Sequence, residues 1–503
     1  MTRFTIDRSV RRVGGGRVLI GGSPLKVLTL TAAGAHIFDR IVAGDDLIAT
    51  AAQRGFIDRF VDAGIVHPAP ARLAAPVAVT IVIPACAASD SVLADLVAAC
   101  HRSGAASATA ATTAGVSTAD VSTADVSVIV ADVIIVDDAS PIPVGRVEGA
   151  TVIRHAHNRG PGAARMTGLG NVVTPFVAFV DTDVVPDDGW LTRLVGHFAD
   201  DRVALVAPRV AAAGGASVLD RYESLHSPLD LGDQPAQVMA GTRVGYVPSA
   251  AIVVRTAALR SIGGFDPSMR VGEDVDLVWR LTDAGHRVRY EPASHVHHSS
   301  RPTWSAWTRQ RVGYGSSAAP LARRHPGALA PVRVSGWSAA AWAMAVLGRP
   351  LAGAAIAGGT TAALAFKLRA VPDGRRQAVR LAGLGNLFAG RALASAVTRA
   401  WWPLAIAGSL VSKRIRRASA IAAIAPPLVD WLVKRPQIDP LRYVTIRIAD
   451  DLSYGVGVIR GAIDEHSTAA LQPDFSSWPN RPRAGRPRVD RPRPDRQPSA
   501  NAG

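Results

Sequence analysis

Two apolar, β-branched runs that end in paired carboxylates constrain this chain more than any other feature. DVIIVDDAS (132–140) closes on Asp137-Asp138, and PFVAFVDTD (175–183) closes on Asp181 and Asp183. VAVTIVIPA (77–85) and VIRHAHN (152–158) supply two further runs of the same kind. Such runs suit strands buried on both faces of a largely parallel sheet. Helical stretches lie between them, as in DSVLADLVAACHRSG, so the pattern predicts an α/β doubly wound domain. Ligands of such domains bind beyond the carboxyl ends of the strands, where these acids stand. Asp137 or Asp138 alone can serve as a plain helix cap. Two pairs at two strand ends of one sheet exceed that need.

The spacing of the second pair has chemical content. Alternate residues of an extended segment can reach one ion, and paired carboxylates are hard oxygen ligands suited to Mg²⁺ or Mn²⁺. An ion held by Asp181 and Asp183 can neutralise a departing diphosphate. HNRGPGAARMTGL (157–169) joins a glycine-rich turn to a helix start, where backbone N–H groups and Arg165 can hold an anion. Its glycines do not follow GxGxxG, which disfavours a dehydrogenase-type dinucleotide fold. GGFDPSMRVGEDVDLVWRLTDAG places Glu273-Asp274 at the start of an amphipathic helix carrying Leu277, Val278 and Leu281. A carboxylate there is a common cap and also a fit place for a general base.

The rest of the chain sets bounds. Its 503 residues predict two to four units, and 48% hydrophobic against 19% charged residues supplies real cores. Two cysteines, Cys86 and Cys100, exclude a disulfide scaffold and CxxC metal sites. The net charge of +16 owes much to RPRAGRPRVDRPRPDR (481–496), whose seven arginines face two aspartates and whose prolines forbid a helix. We read 466–503 as a disordered basic tail. Residues 1–75 read as a small winged-helix-like module, with strands about a Gly-Gly turn and Thr31 capping a helix. PAPARLAAP (68–76) reads as a linker, and the STADV-repeating stretch near 105–128 as a surface insertion. Residues 337–465 are Ala-rich and apolar. Arg349-Pro350 divides the longest stretch into arms of 11 and 16 residues, each short of the roughly 20 that span a bilayer. Helices at a membrane surface or packed on the catalytic domain are expected, although the two arms together leave one kinked span open. With no apolar segment behind the charged N-terminus, a cytoplasmic location is expected, with the inner face of the cell membrane the alternative.

Taken in order, TIVIPA, IIVDDAS, NRGPGAARMTG, FVDTD and GGFDPSMRVGEDVDLVWRL resemble the family 2 glycosyltransferases of GT-A fold, over about Val77 to Arg324. The resemblance implies inverting transfer from a nucleotide sugar. It implies donor contacts from Pro84, Asp137, Asp138, Arg165, Asp181 and Arg311, with Asp138 reading the uracil edge. It implies metal contacts from Asp181, Asp183 and His298, or His297 in its place, and Asp274 as general base with Glu273 beside it. The processive QxxRW pattern is missing; TRQRVGYG stands in its region. The N-terminal IGGSPLKVLTLTAAGAHIFDRI resembles PqqD-like peptide-recognition modules. With the apolar C-terminal region, the whole resembles the mycofactocin-system glycosyltransferases. That likeness implies UDP-glucose as donor, a peptide-derived redox cofactor as acceptor, and contact with a precursor peptide or maturation enzymes. A lipid or cell-wall acceptor is the alternative that the apolar region serves equally well. A scaffold whose N-terminal module binds DNA fits less well, because AAGAHIFDRIVAGDD is near neutral and phosphate contacts need Lys or Arg.

Overall fold

The computed structural model describes residues 3–47, 50–71, 75–103 and 128–475. The STADV-repeating insertion and the Arg/Pro-rich segment 481–496 lie outside the described residues. In the N-terminal module, β1 (Phe4–Ile6) pairs with β5 (Val66–Pro68), while β2 (Arg11–Val13), β3 (Val18–Gly21) and β4 (Lys26–Thr29) form an antiparallel sheet. Helices α1 (Ala32–Val42) and α2 (Ala51–Asp62) start at Thr31 and Thr50, whose hydroxyls accept backbone N–H groups as caps do. Leu19, Phe38, Phe60 and Ile65 form the module's core. Asp58 and Asp62 of α2 clasp Arg287 of the next domain at 2.9 and 2.7 Å.

The central domain is a mixed sheet with helices on both faces. Its elements are β6 (Val77–Ala85), α3 (Asp90–Arg102), β7 (Val128–Asp137), β8 (Thr151–Arg154), α4 (Pro161–Gly170), β9 (Phe176–Val180), β10 (Val184–Pro186) and α5 (Trp190–Val195). There follow β11 (Val203–Ala212), α6 (Val218–His226), β12 (Ala236–Gln237), β13 (Ala251–Arg255), α7 (Thr256–Ser261), α8 (Glu273–Asp283) and β14 (Arg287–His298). The strand order is β10-β14-β11-β13-β9-β6-β7-β8, with β12 on β14. Successive residues of the central strands enter opposite cores: Ile81 and Ile83 on one face, Val82 on the other, and likewise Ala178 and Val180 against Val177 and Phe179. That is why these strands read as continuous apolar runs. The sheet departs from a purely parallel one at β13, which runs against β9 and β11, and at β10 and β12, which run against β14. Between β11 and β13 the chain passes through α6 and through β12, which pairs with Arg289 and Tyr290 of β14, and β13 then begins at Ala251 opposite Val180 at the carboxyl end of β9.

Eight further α-helices follow among the described residues: α9 (Trp304–Ser316), α10 (Ala318–Arg324), α11 (Gly336–Val346), α12 (Pro350–Lys367), α13 (Gly374–Arg399), α14 (Trp402–Val411), α15 (Lys413–Lys434) and α16 (Pro440–Asp464). Helices α9 and α16 approach to backbone contact through glycines. A Cβ on Gly315 would stand 2.0 Å from the Tyr454 carbonyl, and one on Gly457 2.0 Å from that of Val312. The expected division at Arg349 separates α11 from α12, and no helix among the described residues is long and apolar enough to cross a membrane. One boundary needs correction. Residues 466–475, expected within the tail, pack on the helices: Trp401 Nε1 donates to the Leu471 carbonyl at 2.9 Å, Ala470 is buried, and Arg333 pairs with Asp474.

Candidate active site

A cavity of about 910 Å³ lies beyond the carboxyl ends of β6, β7 and β9 and is roofed by α9, α13 and α16. Pro84, Asp138, Arg165, Asp181, Asp183, Glu273, Asp274, His298 and Arg311 all line it. These side chains come from segments up to 227 residues apart in sequence (Pro84 to Arg311), gathered by the sheet edge.

At the end of β7, neighbouring aspartates take different jobs because successive residues of a strand point opposite ways. Asp138 faces the cavity. Its oxygens accept from the Arg159 and Gly160 N–H groups at 2.8 and 2.7 Å, and His155 Nδ1 lies 2.7 Å away. Burial pushes its carboxyl up, but these partners outweigh burial and leave it below the usual range. Asp137 does not reach the cavity, which corrects the expected donor contact. It is fully buried, and Ser140 N–H, Val144 N–H and the Arg154 guanidinium consume its oxygens.

Arg165 also departs from expectation. Its side chain is 2% exposed, with one nitrogen 2.7 Å from Asp181 Oδ1 and another 2.8 Å from Glu273 Oε1. The anions it holds are two carboxylates of the protein, where a phosphate was expected. It thereby ties the end of β9 to the start of α8. Burial opposes its charge, but the two carboxylates raise its pKa further above the ordinary guanidinium range. Asp181 is held above the usual carboxylate range, by burial first, with Asp183 adding to the rise and Arg165 opposing it.

Asp183 stands 3.2 Å from both His298 Nε2 and an Arg301 nitrogen. Burial raises its pKa, yet His298 and Arg301 prevail and keep it below the usual range. Its carboxylate and the His298 imidazole suit a divalent cation as an oxygen and a nitrogen ligand. Among the described residues no group of three or more His, Cys, Asp or Glu side chains is placed to hold a metal ion. Asp183 and His298 are the two side chains of this set that could hold such an ion. Asp181, expected as a third ligand, gives Oδ1 to Arg165. His297 turns to Asp187 at 3.1 Å and takes no part.

Asp274 occupies the second position of α8. Gly272 precedes the helix at φ 79°, and a Cβ there would come within 2.8 Å of the Ser317 side chain, so the helix start is fixed by glycine. Asp274 Oδ2 accepts from Ser249 N–H at 3.3 Å and Oδ1 from Val275 N–H at 2.8 Å. A helix N-terminus favours the anion by roughly 0.3–1 kcal/mol. Burial outweighs that and, with the Glu273 charge adjacent, pushes Asp274 up to about 7. Near neutral pH it can therefore both take and hold a proton, whereas Glu273 is committed to Arg165.

Sequence reasoning missed Arg301 and the opposite wall of the cavity. Tyr246, Tyr314, Tyr454, Arg399 and Arg447 line it, three of them from α13 and α16. TRQRVGYG contains Tyr314, but no local pattern marks Arg399 or Tyr454, which reach the site only through helix packing. Arg311 is buried between Glu223 and Asp450 (2.9 Å), so it secures α9 to α6 and α16 at the cavity wall.

Residues 127–263 match the family described as Glycosyl transferase family 2. The pre-mycofactocin glycosyltransferase of Mycobacterium tuberculosis (strain ATCC 25618 / H37Rv) is 39% identical over 489 residues, spanning 93% of this chain and 97% of that protein. The uncharacterized glycosyltransferase YaiP of Escherichia coli (strain K12) is 29% identical over 164 residues, 31% of this chain and 41% of that one. Among solved structures, a mannosyltransferase from Pyrobaculum calidifontis in complex with GDP-Man and Mn²⁺ aligns at TM-score 0.33 and 17% identity, over 64% of this chain and 90% of that chain.

Proposed function

The chain belongs to the pre-mycofactocin glycosyltransferases of glycosyltransferase family 2, and we propose that it moves a hexose with inversion from a UDP-sugar onto a ribosomal-peptide-derived redox cofactor. UDP-glucose is the donor we assign. The observation that carries this reading is that one cavity is lined both by Asp274, whose carboxyl is pushed up to about 7, and by the paired Asp183 and His298.

In this reading Asp138 receives the uracil edge, and Arg165 positions Asp181 and Glu273 so that the donor and base sides keep their spacing. The acceptor hydroxyl gives its proton to Asp274 as its oxygen attacks the anomeric carbon. The bond from that carbon to the diphosphate oxygen breaks, and the electron pair leaves with the diphosphate. Asp183 and His298 would hold a divalent cation, which would supply charge neutralisation for that leaving group. Arg301, already 3.2 Å from Asp183, lies where it can share the load. Incubating the full chain with UDP-glucose, UDP-galactose or UDP-N-acetylglucosamine and the peptide-derived acceptor, and weighing the product, tests the reading. Glucose addition is expected. No sugar transfer from any of the three would remove it.

The helical region supports a place for this reaction at a lipid surface. Between Trp337 and Val429 twelve Lys and Arg face one acidic residue, Asp373. Arg414 Nη1 donates to the Leu347 carbonyl at 3.2 Å, which joins the α11–α12 turn to the α14–α15 turn. There Leu351, Leu410 and Val411 are 80–87% exposed beside Arg349, Lys413, Arg416 and Arg417. Apolar tips inside a cationic collar suit shallow insertion among anionic head groups. Co-flotation with phosphatidylglycerol-containing vesicles is expected, at least about ten-fold reduced in Leu410→Asp/Val411→Asp. Equal flotation of parent and double variant would contradict it.

A further inference from the structure

Asp138 is gripped from behind by one short turn. His155 Nδ1 at 2.7 Å and the Arg159 N–H at 2.8 Å meet its Oδ1, and the Gly160 N–H at 2.7 Å meets its Oδ2. Asn158 Nδ2 donates to the Asp138 carbonyl at 3.1 Å. Four residues of HAHNRG (155–160) thus close on a single aspartate. Gly160 stands at φ 91°, a conformation glycine adopts freely, and this lets the turn bring two successive N–H groups to one carboxylate. Those N–H groups, which the sequence offers to a ligand anion, are spent on an acid of the protein. His155 is buried and lies behind Asp138, outside the lining of the cavity.

The number of open acceptor positions narrows what Asp138 can read. An ionised carboxylate accepts hydrogen bonds at about four positions and donates none. Nδ1 of His155 therefore carries the proton, and the Thr167 hydroxyl, 2.8 Å from Nε2, holds the far side of the ring. Two donors fill Oδ1, while Oδ2 has one donor and keeps one position open. A single fixed acceptor matches the one N3–H of uracil, which stands between two carbonyl oxygens. Cytosine presents a lone pair at N3 and carries its donor on the neighbouring amino group, so it meets the same oxygen with repulsion. Without the His155 donor, Oδ1 regains an open position, and the carboxylate can turn to take that amino group.

We propose that His155 is a positioning residue for donor choice: by filling Oδ1 it leaves Asp138 one acceptor position, which selects a uracil over a cytosine nucleotide. The proposal rests on Asp138 receiving the base and adds the residue that sets its selectivity. It also gives Thr167 of α4 a part, because that hydroxyl fixes the ring from which Nδ1 donates.

Calorimetry of the full chain with UDP and with CDP, both in Mn²⁺, tests this without turnover, since the two nucleotides differ only on the base edge that Asp138 reads. The parent should bind UDP at least about ten-fold more tightly, as one hydrogen bond to a charged group allows. His155→Leu and His155→Phe remove the donor and should lower that ratio about five-fold or more. His155→Asn, whose amide reaches the place of Nδ1, should keep a ratio near the parent's. Retained UDP binding identifies a folded variant, so either apolar variant suffices if the other is lost. A parental ratio in a UDP-binding apolar variant would overturn the proposal and, with the parent's preference intact, leave Asp138 as the base reader. An asparagine variant no more selective than the apolar ones would overturn it too. Equal binding of UDP and CDP by the parent would instead count against the UDP-sugar reading, and the proposal would fall with it.

Discussion

Asp274→Asn is expected to bind UDP with Mn²⁺ as the parent does and to transfer sugar about 10² to 10⁴ times more slowly. The substitution keeps the shape and one oxygen that can accept from a backbone N–H group, Ser249 or Val275, but removes the proton acceptor, whose contribution in general base catalysis is of that size. Donor binding is spared because the contacts assigned to nucleotide and diphosphate come from other segments. The parent's pH profile carries the same signature. With the carboxyl pushed up to about 7, turnover should rise with pH through that value as the basic form accumulates, and the variant should lack this limb. Stability moves the opposite way. A carboxyl whose folded pKa is raised supports the fold below its unfolded pKa and loses that support as pH climbs through about 7. Asp274→Asn should therefore gain on the parent in thermal stability above pH 7, by on the order of 1–3 kcal/mol. Near-parental transfer in this variant would place the base elsewhere. Glu273 is the neighbouring carboxylate, but its 2.8 Å pairing with Arg165 makes it a poor replacement.

Asp183→Asn should fail differently. In the proposed cation site, neutralising Asp183 removes the carboxylate that pairs with His298 and deprives Arg301 of its 3.2 Å partner. Loss of a tuning partner alone costs a metal site 10–100-fold, and loss of a ligand costs more. UDP affinity measured by calorimetry in Mn²⁺ should fall by more than about 100-fold, and transfer with it. Chelation of the metal should bring the parent to the same level and change the variant little. If Asp183→Asn bound UDP as tightly as the parent in Mn²⁺, the leaving-group side of the site would have to be built on other residues. The two variants thus separate by nucleotide binding, which one keeps and the other loses.

The order of strands and acids along the chain carried most of the fold and much of the site. Continuous apolar runs announce strands covered on both faces, and β6, β7 and β9 have that character. Because such a sheet presents its carboxyl ends to a ligand, Asp138, Asp181 and Asp183 could be placed together from sequence. Orientation within a pair could not. Asp137 and Asp138 are adjacent, and only the partners Arg154, Ser140 and Val144 decide that Asp137 turns away from the cavity. Arg165 was legible as an anion holder, but its anions are carboxylates 16 and 108 residues distant, which no local motif encodes. The cavity wall opposite the sheet was the least legible part. Arg399 and Tyr454 sit on helices that read as generic apolar segments, and glycine contacts between α9 and α16 bring that wall over the sheet. The tail boundary failed for a similar reason, since one indole hydrogen bond extends packing past residue 466.

The direction of substitution at the sugar carbon tests the central claim most directly. A base on one side and a leaving diphosphate on the other allow a single displacement, which inverts the anomeric centre. The product formed from UDP-α-D-glucose and the peptide-derived acceptor should therefore show β-configured glucose in the one-bond carbon–proton coupling of its anomeric signal. An α-configured product would contradict single displacement with Asp274 as base.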